Sequence, residues 1–448
     1  MERPLMEKRR SSSRTSIRSL NPDILATIFS NLDQFDLVRC TSVCKSWHYA
    51  VHRSDVLKMK FCEQQLDGRS LSEASSSSRV SLKNYMQEWA MKEQRLSLQS
   101  SSVDVDQWVG HSSRVRQCRL KMGLILTGVG DKVVRIWSLQ SYKCLEEYSI
   151  PNVASLADFD FDENKIVGLL GTRICIWKRQ GKRDIFPSHE GTFSRGLCMR
   201  YVDPEAVVGC EDGSTRIFDM YSKRCSQIIR MHTGPLTCLA VTDDQLILCG
   251  CSLGSIKVAS VSSDRIVDSL TPFRFTDYLC LSSHLIGCLS MVLIWGRGRS
   301  GVSSLCFNPN SSLVFAGSTA GFVNCWDLRT MKPLWDNRIS PNVIYSLQHL
   351  PSDTSSLAAG GIDGVLRVLD QNTGKILSSY VVDESTARAS SNKSHSMKKK
   401  KAVKLAEGTS LDSIPKTMRP PITCLAVGMK KVVSTHNSNV IRVWKFNK

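Results

Sequence analysis

Residues 133–139 read VVRIWSL, a short strand-like alternation that ends in tryptophan, and runs of this kind decide the fold. Such alternation is typical of a strand with one buried face. Related runs recur along the chain, each ending in tryptophan or a substitute. Their end positions are Trp137, Trp177, Phe218, Ala259, Trp295, Trp326, Leu369 and Trp444. Six of the seven gaps between them are 31 to 43 residues, a period that indicates the blades of a β-propeller.

Eight such endings predict a mainly β propeller of eight blades over residues 103–448, and seven blades are the alternative. The last gap, of 75 residues, holds a basic low-complexity insert at 383–419. Because the last run lacks an outer strand after it, residues 103–108 are expected to supply that strand and close the ring without open sheet edges. The short segment 296–301, GRGRSG, predicts a local weak point.

These repeats resemble the WD40 family, and the resemblance covers most of the chain. In that family, hydrogen bonds among a histidine, a serine or threonine, an aspartate and a tryptophan tie each blade together. The first repeat matches all four positions, with His111, Thr127, Asp131 and Trp137. The resemblance therefore implies a structural role for this set, not a catalytic one. Later repeats keep only parts of it, namely His189, His232, Asp212 and Asp363.

Residues 20–47 read LNPDILATIFSNLDQFDLVRCTSVCKSW and predict a small all-α unit ahead of the propeller. Asn21 is a favourable N-cap, and Pro22 suits the first position of a helix. Apolar residues then recur on one helical face, and two further short helices are predicted. Three short helices cannot enclose all of their own apolar surface. Part of it is therefore expected to face a partner or another part of the chain.

The same segment resembles the F-box in ordered positions from Leu20 to Trp47, except that Asn21 stands where the family usually has proline. The resemblance implies docking on a Skp-type adaptor and, through it, on a cullin, as the non-catalytic substrate receptor of an SCF-type E3 ubiquitin ligase. A helical hairpin packed on the rest of the protein is the alternative. The adaptor-binding residues that the resemblance implies are Leu20, Pro22, Ile24, Leu25, Ile28, Phe29, Leu32, Leu37, Val43, Cys44 and Trp47.

Composition divides the chain into a basic tail at 1–16, the F-box at 17–62, a linker at 63–102 and the propeller at 103–448. Within the linker, an amphipathic helix is predicted. Its stripe consists of Leu82, Tyr85, Met86 and Trp89, continued by Leu96.

The bulk sequence favours an intracellular protein of the nucleus, the cytoplasm or both. The N-terminus lacks a signal-peptide core, and no long apolar run predicts a membrane span. The 17 cysteines include no CxxC pair, so buried hydrophobes are expected rather than a metal site or disulfides. The phosphate-binding loop, zinc-protease and serine-hydrolase motifs do not occur. We therefore expect neither enzyme activity nor a cofactor.

Two basic features bear on partners. Arg116, at the start of a predicted inner strand, suits an acidic or phosphorylated protein substrate. The places that we align with it hold Thr237, Ser303, Ile344 and Thr423, and Arg195 is out of register. Lys398–Lys401 is either a nuclear-import signal or a plain solvated loop. A second hypothesis is a propeller scaffold in an RNA or chromatin assembly without a ligase role. Direct nucleic-acid binding is favoured by the net charge of +18 alone and is not expected.

Overall fold

The computed structural model describes residues 20–32, 34–53, 95–98, 103–128, 132–150, 156–179, 181, 183–185, 193–242, 245–261, 265–270, 300–350, 353–383, 397–406, 408–416, 419–428 and 430–446. The chain divides into two compact units, Met1–Ala90 and Met91–Lys448. The predicted helix stripe at 82–89, the run ending at Trp295 and segment 296–299 lie outside the described residues.

The first unit contains the three predicted helices, α1 (Pro22–Ser30), α2 (Gln34–Val43) and α3 (Lys45–Arg53). Helix α1 begins as the sequence predicts, because the Asn21 side chain accepts the backbone N–H of Asp23 at 3.3 Å and proline occupies the first turn. The three helices enclose a small apolar core. Its buried members are Leu25, Phe29, Leu37, Ala50 and Val51.

The second unit consists of antiparallel sheets. Strand β1 (Val103–Val109) precedes blade 1, which contains β2 (Gln117–Lys121), β3 (Leu124–Gly128), β4 (Val133–Ser138) and β5 (Cys144–Ser149). Blade 2 contains β6 (Leu156–Phe161), β7 (Lys165–Leu170), β8 (Arg173–Lys178) and β9 (Arg183–Ile185). Blade 3 contains β10 (Gly196–Val202), β11 (Glu205–Cys210), β12 (Ser214–Asp219) and β13 (Arg224–Arg230).

Blade 4 contains β14 (Leu236–Val241), β15 (Leu246–Cys251), β16 (Ile256–Ser260) and β17 (Arg265–Leu270). Blade 5 contains β18 (Val302–Asn308), β19 (Leu313–Ser318), β20 (Phe322–Asp327) and β21 (Lys332–Arg338). Blade 6 contains β22 (Ile344–His349), β23 (Ser356–Gly361), β24 (Leu366–Asp370) and β25 (Ile376–Asp383). Strand β26 (Lys398–Lys404) follows, and blade 7 contains β27 (Ile422–Val427), β28 (Lys431–His436) and β29 (Val440–Phe446).

The blades form a ring, because the first strand of each blade contacts the first strand of the next, and β27 returns to β2. In particular, β14 contacts β18 directly, so no further blade separates blade 4 from blade 5. The described strands therefore make seven blades. This number fits the alternative of seven; the prediction of eight is not confirmed, and the run ending at Trp295 on which it depends lies outside the described residues.

Ring closure follows the prediction from residues 103–108. Strand β1 pairs antiparallel with β29, with Val103 opposite Phe446 and Val109 opposite Val440, and so completes blade 7. Strand β26 then pairs with both β1 and β25, which joins blades 6 and 7 into one nine-stranded sheet. The expectation of a plain solvated loop at Lys398–Lys401 is therefore wrong, because the backbone of these residues is paired.

The end of the predicted linker packs on blade 6. Leu98 is buried, and its carbonyl oxygen accepts the hydroxyls of Ser378 at 2.9 Å and Tyr380 at 2.7 Å. Arg95 pairs with Asp353 in the turn between β22 and β23. Leu96, the residue that the predicted stripe includes, is exposed instead. The chain is thus attached to the propeller before β1 begins.

Candidate partner-binding surfaces

The F-box helices sort the predicted adaptor-binding residues into an inner and an outer set. Leu25, Phe29 and Leu37 are buried, and Leu20, Leu32 and Trp47 pack against them. The ring of Trp47 meets that of Phe29 edge-on at 5.4 Å. These side chains hold the three helices together, and burying such groups is what stabilises so small a unit. Their direct contact with an adaptor is therefore not required to explain their presence.

The outer set remains at the surface. Ile24 is 50% exposed, Ile28 41% and Val43 57%. Ile24 and Ile28 are four residues apart and share one side of α1, next to the side on which Leu25 and Phe29 enter the core. Tyr49 on α3 is 58% exposed as well, and the predicted set did not include it. The sequence offered one signal for an exposed Tyr49: it lies two residues from Trp47 and from Val51, which both face inward. Of the other predicted residues, Cys44 is half-buried, and the side chain of Pro22 lies outside the described residues.

The first blade is tied as the WD40 resemblance implies. His111 Nε2 lies 2.8 Å from Thr127 Oγ1, and the Trp137 indole N–H donates to the same oxygen at 2.8 Å. Arg135 adds contacts to His111 Nδ1 at 2.9 Å and to Glu147 at 2.8 Å. These groups satisfy one another inside the protein, so they are structural. Asp131, the fourth member, lies outside the described residues, as does His189 of a later repeat.

Other blades use different side chains for the same task. In blade 7, Trp444 donates to Ser434 at 2.8 Å, and Ser434 lies 3.0 Å from His436 Nε2. In blade 6, Asp363 accepts from Ser340 at 3.1 Å and pairs with Arg367 at 2.6 Å. Asp212 of blade 3 accepts the backbone N–H of Ser214, and His232 of blade 4 contacts the carbonyl of Cys249. Sequence reasoning missed His436, because in blade 7 the histidine comes from the second strand.

Arg116 is exposed and immediately precedes β2, the first strand of blade 1. Strand register tests which residues of the other blades correspond to Arg116. Gln117 faces Gly128 as Ser304 faces Gly317, so Ser303 corresponds to Arg116 in blade 5. Tyr345, not Ile344, is the equivalent in blade 6. Two of the aligned hydroxyls are used internally: Thr237 donates to the carbonyl of Val302, and Ser303 to that of Ile344. These two hydrogen bonds link neighbouring blades.

The same end of blades 1 to 3 carries further arginines. Arg195 corresponds in register to Arg114, two places before Arg116, and both are exposed. Arg173, at the start of β8, is exposed as well. Within the described part of the chain, no ion pair involves these four side chains, whereas the strand arginines Arg119, Arg135 and Arg367 each pair with a carboxylate. We call this set the basic rim: Arg114, Arg116, Arg173 and Arg195.

The central channel holds a charged network that the sequence did not predict. Arg119 pairs with Asp158 at 2.7 Å and Lys121 with Asp160 at 2.7 Å, which joins blade 1 to blade 2. Asp158 also accepts the backbone N–H of Met199 in blade 3 at 2.9 Å. Burial opposes ionisation of Asp160, yet the charges of Lys121 and Arg119 lower its pKa below the ordinary value. A cavity of about 120 Å³ adjoins this network.

The described residues give no sign of metal or membrane chemistry. Among them, no three His, Cys, Asp or Glu side chains are placed to hold a metal ion. None of the helices that the structure describes is long and apolar enough to cross a membrane.

Comparison with known proteins agrees with this architecture. Residues 18–64 match the F-box-like family, and residues 290–327 match the WD domain, G-beta repeat. An F-box/WD-40 repeat-containing protein of Arabidopsis thaliana is 46% identical over 97% of this chain and 95% of its own. The angio-associated migratory cell protein of Homo sapiens is 27% identical over 57% of each chain. Pre-mRNA-processing factor 17 of Homo sapiens is 21% identical over 59% of this chain and 44% of its own.

Among solved structures, the computationally designed Ika8 protein aligns with a TM-score of 0.50 at 16% identity, over 75% of this chain and 97% of its own. That likeness concerns the fold alone. A helical F-box unit ahead of a ring of antiparallel blades defines an F-box propeller. The full-length similarity makes the family explicit: this chain belongs to the F-box/WD-40 repeat proteins.

Proposed function

We propose that this protein is the substrate-recognition subunit of an SCF-type E3 ubiquitin ligase. Its F-box would bind a Skp-type adaptor and, through it, a cullin, while its propeller holds the protein to be ubiquitinated. The supporting observation is the outer set of the F-box. Ile24, Ile28, Val43 and Tyr49 stay exposed although the helices already have a complete core. Exposed apolar groups clustered on one small unit favour a protein partner.

The propeller's part is positioning, not bond chemistry. Holding a substrate lysine beside the ligase machinery makes the transfer effectively intramolecular, which is itself a large rate effect. No catalytic group of this chain is needed for that role.

The test is co-purification of the full chain with the adaptor and cullin. Ile24→Ser/Ile28→Ser should abolish recovery of both, because it removes exposed apolar contacts without opening the helical core. A matched control is Val202→Ser/Ile228→Ser, which alters two equally exposed apolar residues on blade 3 and should leave recovery unchanged. Circular dichroism should show both variants folded. Adaptor recovery by a folded Ile24/Ile28 variant at the wild-type level would refute the proposal.

We further propose that the basic rim binds an acidic or phosphorylated segment of the substrate. Guanidinium groups suit carboxylates and phosphates because they donate paired hydrogen bonds, and four of them share one end of blades 1 to 3. Arg114→Glu/Arg116→Glu/Arg195→Glu should abolish capture of substrates that accumulate when the proteasome is blocked. The control is Arg224→Glu, an exposed arginine at the opposite end of blade 3. Unchanged capture by the triple variant would exclude the rim.

A scaffold in an RNA or chromatin assembly, without a ligase role, is the second candidate. The net charge of +18 and the likeness to Pre-mRNA-processing factor 17 favour it. Residence in the nucleus, the cytoplasm or both is compatible with either function. The two candidates differ in one observation: a scaffold would keep its partners when Ile24→Ser/Ile28→Ser removes the adaptor, and no protein would accumulate in its complexes when the proteasome is blocked.

A further inference from the structure

Strand β26 has the sequence KKKKAVK, with four consecutive lysines at Lys398–Lys401. We propose that these lysines are a nuclear-import signal that is inaccessible to its receptor while the strand is paired with β1. In this view the front half of β26 leaves β1 and is bound, as an extended basic peptide, by the acidic groove of an import receptor. Receptor binding by β26 would be independent of the ligase function, because it involves neither the F-box nor the basic rim.

The pairing of β26 is uneven along its length. On the β1 side, the register runs from Gln107 opposite Lys398 to Val103 opposite Ala402. On the β25 side, it runs only from Tyr380 opposite Lys404 to Asp383 opposite Lys401. Within the described residues, the first three lysines are therefore paired on one side alone. The back half of the strand is held from both sides and can remain anchored while the front half separates.

Little apolar surface holds the front half in place. Lys398, Lys399 and Lys401 are exposed, and Lys400 is half-buried. The one buried side chain of the strand is Ala402, in the anchored half. Four adjacent positive charges also repel one another. Separation of the front half thus costs the contacts of half-buried Lys400 and a set of backbone hydrogen bonds, for which water is an alternative partner.

Negative charges on β1 influence how strongly the front half of β26 is attached. Asp106 lies opposite Lys399, and Asp104 opposite Lys401. Asp106 is buried and already pairs with Lys445 at 2.9 Å, so its charge is shared. Asp104 is half-buried. Cross-strand pairs of opposite charge favour this register, yet only modestly where water reaches them.

Separation of the front half leaves the ring closed. Strand β1 is paired along its whole length with β29 on its other side, so blade 7 keeps four strands without β26. An extended lysine run that can detach without unfolding the propeller is complementary to a receptor groove lined by acidic side chains.

The first experiment measures binding of the full chain to a purified armadillo-repeat import receptor by fluorescence anisotropy. Replacing Lys398–Lys401 by alanine should weaken binding at least tenfold, whereas replacing them by arginine should retain it. A control with the same loss of charge carries alanine at four scattered exposed lysines and should bind as the wild type does. These control positions are Lys143, Lys178, Lys332 and Lys375. Equal weakening in the control, or none in the alanine variant, would overturn the proposal.

The second experiment tests detachment with a cross-link. Gln107→Cys/Lys398→Cys places two thiols at facing positions of β1 and β26, where antiparallel geometry permits a disulfide. The oxidised form should bind the receptor at least tenfold more weakly than the same protein after reduction. Wild type taken through the same oxidation and reduction controls for the native cysteines. Equal binding by the oxidised and reduced forms would show that the lysines do not need to leave β1.

A third variant acts in the opposite direction. Asp104→Asn removes the charge facing Lys401 and should strengthen receptor binding about two- to fivefold, since the detached state becomes more populated. The share of the Asp104→Asn variant that is located in the nucleus of imaged cells should rise together with receptor affinity. The contrary result is an Asp104→Asn variant with unchanged receptor affinity and nuclear fraction, beside an alanine variant that loses receptor binding and nuclear localisation. In that case the lysines would bind the receptor while still paired with β1, and the proposed detachment would be wrong.

Discussion

Arg95 donates from Nε to Oδ1 of Asp353 across 2.9 Å, although 258 residues of chain separate them. The carboxylate is fully buried and accepts the backbone N–H and hydroxyl of Ser355 through the same oxygen. The pair fixes the segment before β1 on blade 6, next to the hydrogen bonds that Leu98 accepts from Ser378 and Tyr380.

Removal of this pair should destabilise the propeller. Arg95→Ala leaves a buried carboxylate without its cation, and we expect a loss of about 1–3 kcal/mol in the free energy of unfolding, moderated because Arg95 is partly exposed. Urea denaturation measures it. Adding Asp353→Asn to that variant should recover part of the loss, since the buried charge is gone. Equal stability of Arg95→Ala and wild type would mean that the ion pair is not a stabilising contact.

The hydroxyl of Thr127 should contribute more to the free energy of unfolding than its size suggests. Thr127→Val keeps the shape but removes the oxygen that both His111 Nε2 and the Trp137 indole N–H contact, while His111 Nδ1 keeps its contact with Arg135. The loss of a hydrogen-bond partner at two buried nitrogens predicts a loss of about 2–4 kcal/mol in the free energy of unfolding. Thermal unfolding followed by calorimetry would show it as a lower Tm. Thr172→Val, at an exposed turn residue, is the control and should change stability by less than about 0.5 kcal/mol.

His436 should make stability fall in acid. Burial, aided by the positive charge of Arg442, lowers the pKa of His436 to about 3, against about 6.5 in an unfolded chain. Between these values the unfolded state binds a proton that the native state rejects. Stability from this residue is therefore complete above pH 6.5 and decreases as pH falls, by about 1.4 kcal/mol per pH unit.

The comparison with His436→Gln isolates this effect from other titrating groups. The variant should be less stable at pH 7, because it disturbs the bonds to Ser434 and Pro421. Its stability between pH 7 and pH 5 should decline by about 2 kcal/mol less than that of wild type. Parallel curves for the two proteins, measured by urea denaturation at each pH, would contradict the assignment.

The inner and outer sets of the F-box should respond differently to truncation. Leu25→Ala opens a cavity in the helical core and should lower stability by about 2–5 kcal/mol, or unfold this small unit. Ile24→Ala, one residue away and half-exposed, should cost less than about 0.5 kcal/mol. Hydrogen exchange of the α1 amides distinguishes them. Similar exchange in the two variants would mean that the outer set also supports the fold.

Local patterns predicted the architecture well. The alternating runs located the third strand of each described blade, Asn21 and Pro22 located the start of α1, and residues 103–108 were expected to close the ring, as they do. The His111–Thr127–Trp137 bonds also match the prediction. These features depend on side-chain periodicity and on residue types at fixed spacing, which a sequence displays directly.

The errors share a different cause. The described strands make seven blades where eight were predicted, and a strand-like run in a sequence does not by itself show whether it adds an inner strand to a ring. Ile344 was aligned in place of Tyr345, because the inner strands contain a bulge that shifts register by one residue. Packing also separates Leu25 from Ile24, which the resemblance placed in one adaptor-binding set, because one is buried and the other exposed; that both contact an adaptor stays a prediction.

The sequence by itself determined what each segment can become: short amphipathic helices near the front, and small strands behind them that must pair to satisfy their backbone. Only the tertiary structure decided which segments meet. Asp158 reaches the backbone of Met199, Arg95 finds Asp353, and a run of lysines becomes a strand between blades 6 and 7. Such contacts join residues far apart in the chain, and no local periodicity records them, because they arise when the whole ring buries its apolar surface at once.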